Sequence, residues 1–373
     1  MTRFRLATDA DRSRWDTFVA ARPEADALQT WAWGEANETA GEYPVRCLVD
    51  DDSGRILGVA QILVRAAGLG RTVGYVPHGP VWDRESAEAD AVLESLLRGV
   101  REAARARAGI VVKIDPRADA DGPDRVRARL VRSRLRPARH DLQAPTTRVV
   151  DLLDGDDGLM ATWDKDARNL VRRAAREGVV TETDRTGDPA TIAAFHDLLV
   201  TTSERAGFRT RSATFLETLA RELVGGSDPD PGSDPGLLAG WYLTIARIDG
   251  RPIAGAVALR TGSRAIYAYG ASLREPALKH ANGAYAALAA TMHALAADEV
   301  ATLDLWGVVE PGEEGPDPSW AGFSAFKRQF GGTPIRHPGT YDLVVDPFWS
   351  GVRDLRECVT TTARAAVHRG SDG

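Results

Sequence analysis

The sequence predicts an α/β protein made of two tandem copies of one unit, and three observations carry that expectation. At 373 residues the chain exceeds one typical core and fits two. Two stretches present the same four elements in the same order about 195 residues apart, the mark of an internal duplication. The material between and around them is helical in period, as α/β units require.

The first stretch runs CLVDDDSGRILGVAQILVR (47–65), RTVGYVPHGPV (71–81), a helix over 86–108 and GIVVKIDP (109–116). The second runs YLTIARIDGRPIAGAVALR (242–260), RAIYAYGAS (264–272), a helix over 282–299 and VATLDLWG (300–307). Each is a hairpin turned at Gly-Arg, a third strand ending in an aromatic, an Ala-rich helix and a strand ending in an acid, Asp115 or Asp304. Further helices are expected over 9–21, 29–40, 120–134, 156–177, 188–205 and 212–222. Segments 225–236 and 310–319 are rich in Pro and Gly and read as loops. The second leads into a Lys327 helix, either as a plain connector or as a segment that closes over a ligand. An amphipathic helix over 348–368 is expected to pack back on the first unit. The expected domains are therefore 1–148 plus about 340–373, and 149–339. No sustained heptads occur, so no coiled-coil arm is expected.

Composition narrows the function classes. A net charge of −6 argues against wholesale wrapping of nucleic acid but leaves room for a local basic face. Cys47 and Cys358 lie far apart, with no C-x-x-C and no nearby His pair, so neither a disulfide framework nor a zinc site is expected. The N-terminus lacks a signal-type apolar core, and no run approaches the roughly 18 apolar residues of a membrane span. The expectation is a cytoplasmic protein without a metal, whose contact with a membrane would be peripheral.

Several motifs bear on chemistry. Arg65-Ala-Ala-Gly-Leu-Gly70 matches the R-x-x-G-x-G pattern that grips an acyl-CoA pyrophosphate, but that grip needs a helix start immediately after it. Here β-type sequence follows, which predicts a hairpin turn. No P-loop or Rossmann fingerprint appears in a strand-turn-helix context. In YVPHGPVW (75–82), two prolines fix an extended backbone around His78, which reads as a substrate contact or as a structural histidine. Arg168, Arg172 and Arg176 recur every fourth residue with Arg173 beside them, a stripe that suits either a phosphate track or a solvated face. Tyr267 and Tyr269 are spaced to share one face of a strand. The most informative stretch is LDLWGVVEPGEEGPDPSWAGFSAFKRQFGG (303–332): a strand, a loop and a helix bearing Phe323, Phe326, Lys327 and Phe330. The chain has four lysines among 47 basic residues, so a compact ammonium at 327 marks a place where a planar guanidinium would not serve.

Taken together, LQTWAWGEAN (28–37), YVPHGPV, KIDP, RNLVRRAAREGV (168–179), RSATF (211–215), YAYGAS, LDLWGV and FSAFKRQFGG resemble the FemABX peptidoglycan-bridge aminoacyltransferases, in the right order along essentially the whole chain. The resemblance implies two tandem GNAT-like acyltransferase domains, the first completed by the C-terminal helix. It implies transfer of an amino acid from aminoacyl-tRNA, a co-substrate in place of any cofactor, to a side-chain amine of a peptidoglycan precursor, either lipid II or UDP-MurNAc-pentapeptide. Lys327 matches the lysine implicated in catalysis and Asp115 an acid near the acceptor. Arg211, Phe215, Tyr267 and Tyr269 fall where acceptor-binding residues are expected, and His78 and Trp306 are counted with them. Asn37 stands where a phosphate-contacting lysine is often found, and Phe215 where a tyrosine would bring a hydroxyl; both departures bear on the nucleotide-linked form of the acceptor. Arg168, Arg172, Arg173 and Arg176 are assigned to the tRNA path.

An aminoacyl-tRNA is an activated ester, so an amine can attack it directly and no Ser or Cys nucleophile is required. Lys327 is the candidate for stabilising the oxyanion, and Asp115 orients the acceptor amine or takes its proton. Three rivals stay open on sequence: a CoA-dependent N-acyltransferase, a tRNA- or cell-wall-precursor-binding module without catalysis, and tRNA-dependent aminoacylation of a small-metabolite amine.

Overall fold

The computed structural model describes residues 2–118, 122–153, 155–225, 239–313 and 320–355. In chain order the strands are β1 (Arg3–Leu6), β2 (Tyr43–Asp50), β3 (Ile56–Gly68), β4 (Arg71–Pro77), β5 (Val81–Trp82), β6 (Gly109–Asp115), β7 (Arg136–Pro137), β8 (Thr146–Asp151), β9 (Val180–Asp184), β10 (Ala239–Ile248), β11 (Arg251–Thr261), β12 (Arg264–Ser272), β13 (Thr302–Gly307), β14 (Thr333–Arg336) and β15 (Tyr341–Val344). The helices are α1 (Arg12–Ala20), α2 (Trp31–Glu38), α3 (Ala89–Arg105), α4 (Pro123–Arg132), α5 (Gly155–Thr162), α6 (Lys165–Arg176), α7 (Pro189–Ala206), α8 (Ala213–Gly225), α9 (Gly283–Ala297) and α10 (Trp320–Arg328), followed by α11 over 347–355.

Two sheets result, one in order β1-β2-β3-β4-β6-β15-β7 with β5 beside β3, the other in order β14-β8-β13-β12-β11-β10-β9. The duplication is visible in them. In each, three antiparallel strands lead through a helix to a parallel fourth: β2-β3-β4-α3-β6 and β10-β11-β12-α9-β13. α3 earns its place through one apolar stripe, with Val92, Leu93, Leu96, Leu97, Val100 and Ala104 buried over the first sheet. α9 buries Ala287, Leu288, Met292 and Leu295 over the second. After completing the second sheet the chain returns to the first, where β15 pairs with β6. α11 then settles there too, its Trp349 ring under the Arg71 guanidinium at 4.9 Å.

The fourth strands differ in a way that matters below. β4 and β6 stay paired from Thr72↔Gly109 to Pro77↔Asp115. β12 and β13 are paired only from Arg264↔Thr302 to Ile266↔Asp304, although they run on to Ser272 and Gly307. The second sheet therefore splays open beyond Asp304, and that residue sits inside its strand rather than at the strand's end.

One predicted element is corrected. The span 156–177 is two helices, broken at Trp163 and Asp164. Trp163 is buried, edge-on to Phe330 at 5.2 Å and to His293 at 5.8 Å, and continuing the helix would carry it out of that pocket. Asp164 turns extended, its N–H donating to the Gln329 carbonyl at 2.8 Å. Most of the loop expected at 225–236, the last part of that at 310–319 and the C-terminal helix beyond 355 lie outside the described residues, as does Cys358. Among the described residues no helix is long and apolar enough to cross a membrane.

The halves meet along a tight seam. The turn between β11 and β12 docks on the segment after α1, where the Arg264 guanidinium donates to the carbonyls of Ala25, at 3.3 Å, and of Arg22. Gly262 in that turn has φ +61°, and a Cβ there would run into the Ala20 carbonyl oxygen. Gly262→Ala is therefore expected to cost about 2 kcal/mol, by overpacking and by the left-handed backbone together. Urea unfolding checks this; an unchanged midpoint would show that the seam has slack.

Candidate active site

The site grows from the loops that follow the parallel strands. β4 ends at Pro77, and the next residue, His78, takes φ +48° before a cis Gly79–Pro80 bond. β6 ends at Asp115, and Arg117 follows two residues later. Arg117 reaches both halves: Nη1 donates to Asp26 Oδ2 at 2.9 Å, and Nη2 donates to Asp304 Oδ2 on β13. Asp26 also accepts from the Leu28 N–H at 3.0 Å and lies 2.6 Å from His78 Nδ1. Burial alone would raise the Asp26 carboxyl, but His78 and Arg117 outweigh it and hold it below the usual carboxylate range. Burial likewise pulls against charge on His78, and Asp26 overcomes it, raising the ring above its ordinary value. His337 goes the other way, pushed down to about 3 by burial and by Arg117. It is therefore neutral: Nδ1 accepts from the Ala118 N–H at 3.0 Å, so Nε2 carries the proton, facing Thr147 Oγ1 at 3.1 Å.

Beside this network a small cavity is lined by His78, Asp115, Arg117, Gln143, His337 and Thr340, among others. Asp115 is buried, and that burial pushes its carboxyl up to about 7 against the opposing pull of His78 and Tyr75. Tyr75 donates to Asp115 Oδ2 at 2.8 Å. Gln143 Nε2 donates to the Tyr75 oxygen at 3.0 Å, and Trp306 Nε1 donates to Gln143 Oε1 at 3.1 Å. Trp306 is itself fixed at φ +63° by its N–H to Asp304 Oδ1, 2.7 Å away.

Lys327 occupies the splay of the second sheet. Its Nζ donates to the Gly307 carbonyl at 2.9 Å and lies 5.1 Å from the Phe323 ring centroid and 5.9 Å from that of Tyr267. Burial pushes its pKa down to about 8, with the Asp304 charge opposing. α10 is held there by Phe326 and Phe330, packed on Tyr285 with centroids 4.9 and 5.8 Å away. The aromatic spacing seen in the sequence is thus the anchor that delivers the ammonium to the gap.

The remaining predicted residues fall less neatly. Tyr267 and Tyr269 do not share a face. β12 carries one extra residue between the pairs Ala258↔Tyr267 and Val257↔Tyr269, and this bulge turns Tyr269 into the core under α7 and α8 while Tyr267 stays on the α9 side. Arg211 stacks over Phe215 at 4.7 Å and hydrogen-bonds Tyr269, whose hydroxyl burial raises. Phe215 has no exposed surface and meets Trp33 edge-on at 5.7 Å. Asn37 is also fully enclosed, its Nδ2 spent on the Trp33 carbonyl at 2.7 Å, so neither side chain is exposed to a ligand as placed. His78 lines the cavity but is committed to Asp26. In the arginine stripe, Arg168 closes the end of α5 by donating to the carbonyls of Met160 and Ala161 at 3.4 and 3.3 Å. Arg173 pairs with Glu177 at 3.5 Å, which leaves Arg172 and Arg176 as its exposed members. The segment Arg65–Gly70 is the tip of the β3–β4 hairpin, as its sequence predicts. Gln143, Arg117, Asp26 and His337 carry no motif and emerge only from the structure, as does the role of Tyr75 at the start of YVPHGPVW. Among the described residues, no group of His, Cys, Asp and Glu is arranged to hold a metal.

Comparisons with known proteins agree with this architecture. The acetyltransferase (GNAT) domain family matches residues 164–327. Lipid II:glycine glycyltransferase of Staphylococcus aureus (strain bovine RF122 / ET3-1) is 32% identical over 213 residues, 55% of this chain and 49% of that protein. The chain thus spans about half the length of the curated relatives it matches. The crystal structure of FemX superposes with a TM-score of 0.77 over 94% of this chain and 99% of that one, at 21% identity. A tandem GNAT protein from the clavulanic acid biosynthesis pathway gives 0.55 at 14% identity, over 93% of this chain. Over the aligned part the chain is similar in sequence to a lipid II:glycine glycyltransferase, and over nearly all of its length it shares the fold of FemX, two tandem GNAT-type units.

Proposed function

We propose that this chain moves an amino acid from aminoacyl-tRNA to the side-chain amine of a peptidoglycan precursor stem peptide. The observation that carries the reading is Lys327, an ammonium half-enclosed in the splay of the second sheet, anchored on Gly307 and kept near neutrality by burial. The homology to lipid II:glycine glycyltransferases supports the acceptor class. In the reaction the acceptor amine attacks the ester carbonyl of the donor; a C–N bond forms, the C–O bond to the terminal ribose breaks, and the ribose oxygen leaves with the proton that the amine has passed to Asp115. Asp115 takes the proton the amine sheds, and Lys327 faces the oxyanion of the tetrahedral intermediate. No nucleophile of the chain intervenes. Arg172 and Arg176 belong to the donor's phosphate path. The hairpin at Arg65–Gly70 has no helix start behind it, which disfavours an acyl-CoA donor.

The donor is tested with purified protein, charged bacterial tRNA and either lipid II or UDP-MurNAc-pentapeptide. Ribonuclease pretreatment is expected to abolish the mass gain of the acceptor, acetyl-CoA to be irrelevant, and Arg172→Gln with Arg176→Gln to lower the salt slope of donor binding by about two. Robust acetylation of an amine from acetyl-CoA without tRNA would overturn the proposal.

Lys327→Ala should lower turnover by about 100-fold, a loss on the order of 3 kcal/mol, with little change in acceptor affinity, and Lys327→Arg should restore only part of it. The pH profile has a definite sign. Asp115 works as the carboxylate, so activity falls as pH drops through about 7. Lys327 works as the ammonium, so activity falls as pH rises through about 8. In a folded Lys327→Arg variant the alkaline limb should vanish while the acid limb stays; a limb that persists belongs to another group.

A further inference from the structure

We propose that Tyr75 and Gln143 are positioning residues for Asp115, forming with Trp306 a hydrogen-bond chain of fixed direction that runs from the second half of the molecule into the acid of the first. The proposal rests on the reading of Asp115 as the group that takes the acceptor's proton.

The direction follows from donor chemistry. An indole N–H can only donate, so Gln143 must turn its carbonyl oxygen to Trp306, at 3.1 Å. Its amide nitrogen then faces Tyr75 and donates to the phenol oxygen at 3.0 Å. With its oxygen so engaged, the Tyr75 hydroxyl directs its one proton to Asp115 Oδ2 at 2.8 Å. Burial and the Asp115 charge both raise the Tyr75 hydroxyl, so it stays a donor over the working range. Each link therefore decides the next, and an amide that would otherwise be free to flip has one usable orientation.

The chain spans the molecule. Tyr75 lies on β4, beside Lys113 in the parallel pairing, while Gln143 sits in the connection between the sheets and Trp306 on β13. Trp306 precedes Gly307, whose carbonyl anchors Lys327. One backbone step thus joins the anchor of the proposed cation to the chain that orients the proposed base. The charged groups acting on Asp115 are His78 from the loop after β4 and Asp26 from the loop before α2, with Tyr75 the hydrogen-bonding neighbour.

The donor to the carboxylate favours its ionised form, so Tyr75→Phe should raise the Asp115 pKa by about one unit and Gln143→Met by less. Two readouts separate this from a structural role and from failure of the functional reading. Asp115 is titrated by carboxyl-labelled NMR in the full chain without substrate, its signal assigned by Asp115→Asn. The transfer profile is measured alongside. Tyr75→Phe is expected to lower kcat about fivefold at pH 7 relative to wild type, the ratio recovering as pH rises, with KM for the acceptor little changed. An Asp115 titration unmoved in folded Tyr75→Phe would overturn the proposal even if transfer proceeds normally. A shifted titration in a protein that transfers nothing would sustain the positioning and sink the assigned reaction. A loss of turnover equal at every pH would also contradict it, since a packing defect has no reason to reverse with pH.

Discussion

One guanidinium holds the two halves in register. Arg117 leaves the end of β6 and donates to Asp26 on its own side and to Asp304 on the other. A planar guanidinium reaches the two carboxylates through separate nitrogens in a fixed fork, a geometry that the single nitrogen of a lysine does not offer. The arrangement is poor evidence for stability as such: a buried ion network replaced whole by apolar side chains is often neutral, while removal of one partner leaves a buried charge that costs about 3–5 kcal/mol. Its consequence is geometric. With Asp304 fixed, the Trp306 N–H and ring are fixed, and so is the Gly307 carbonyl that holds Lys327.

The same constraint sets the charges. Asp26 raises the His78 ring above its ordinary value against burial, while burial and Arg117 keep His337 neutral although the rings are only 6.5 Å apart. Asp115 and Lys327 are pulled toward each other on the pH scale, to about 7 and about 8, both chiefly by burial. An acid raised at the end of β6 in one half and an amine lowered on α10 in the other form the pattern expected of acid–base machinery.

Much of this was legible in the residues and some was not. The duplication is readable because hairpins, alternation and helix stripes are local signals, and the Phe-rich Lys327 helix is readable because lysine is rare in a chain that prefers arginine. The break at Trp163 is hidden, since helical period continues on both sides and the cause is a pocket made by Phe330 and His293, more than 100 residues away. The bulge that parts Tyr267 from Tyr269 depends on register with β11, which spacing along β12 cannot carry. Asn37 and Phe215 read as ligand contacts from their place in a resemblance, but the packing of α2 on α8 encloses both. Tyr75 and Gln143 stand 68 positions apart and meet only because the two sheets close on each other.

The fold delivers Lys327 as an ammonium that gives up its proton at about pH 8. With four lysines in the chain, a lysine-labelled NMR titration can follow each side chain separately, Lys327→Arg supplying the assignment. The account predicts one lysine with a midpoint at about 8, the signal lost in that variant. A Lys327 that titrates with the others near the free-lysine value of about 10.4 would contradict it.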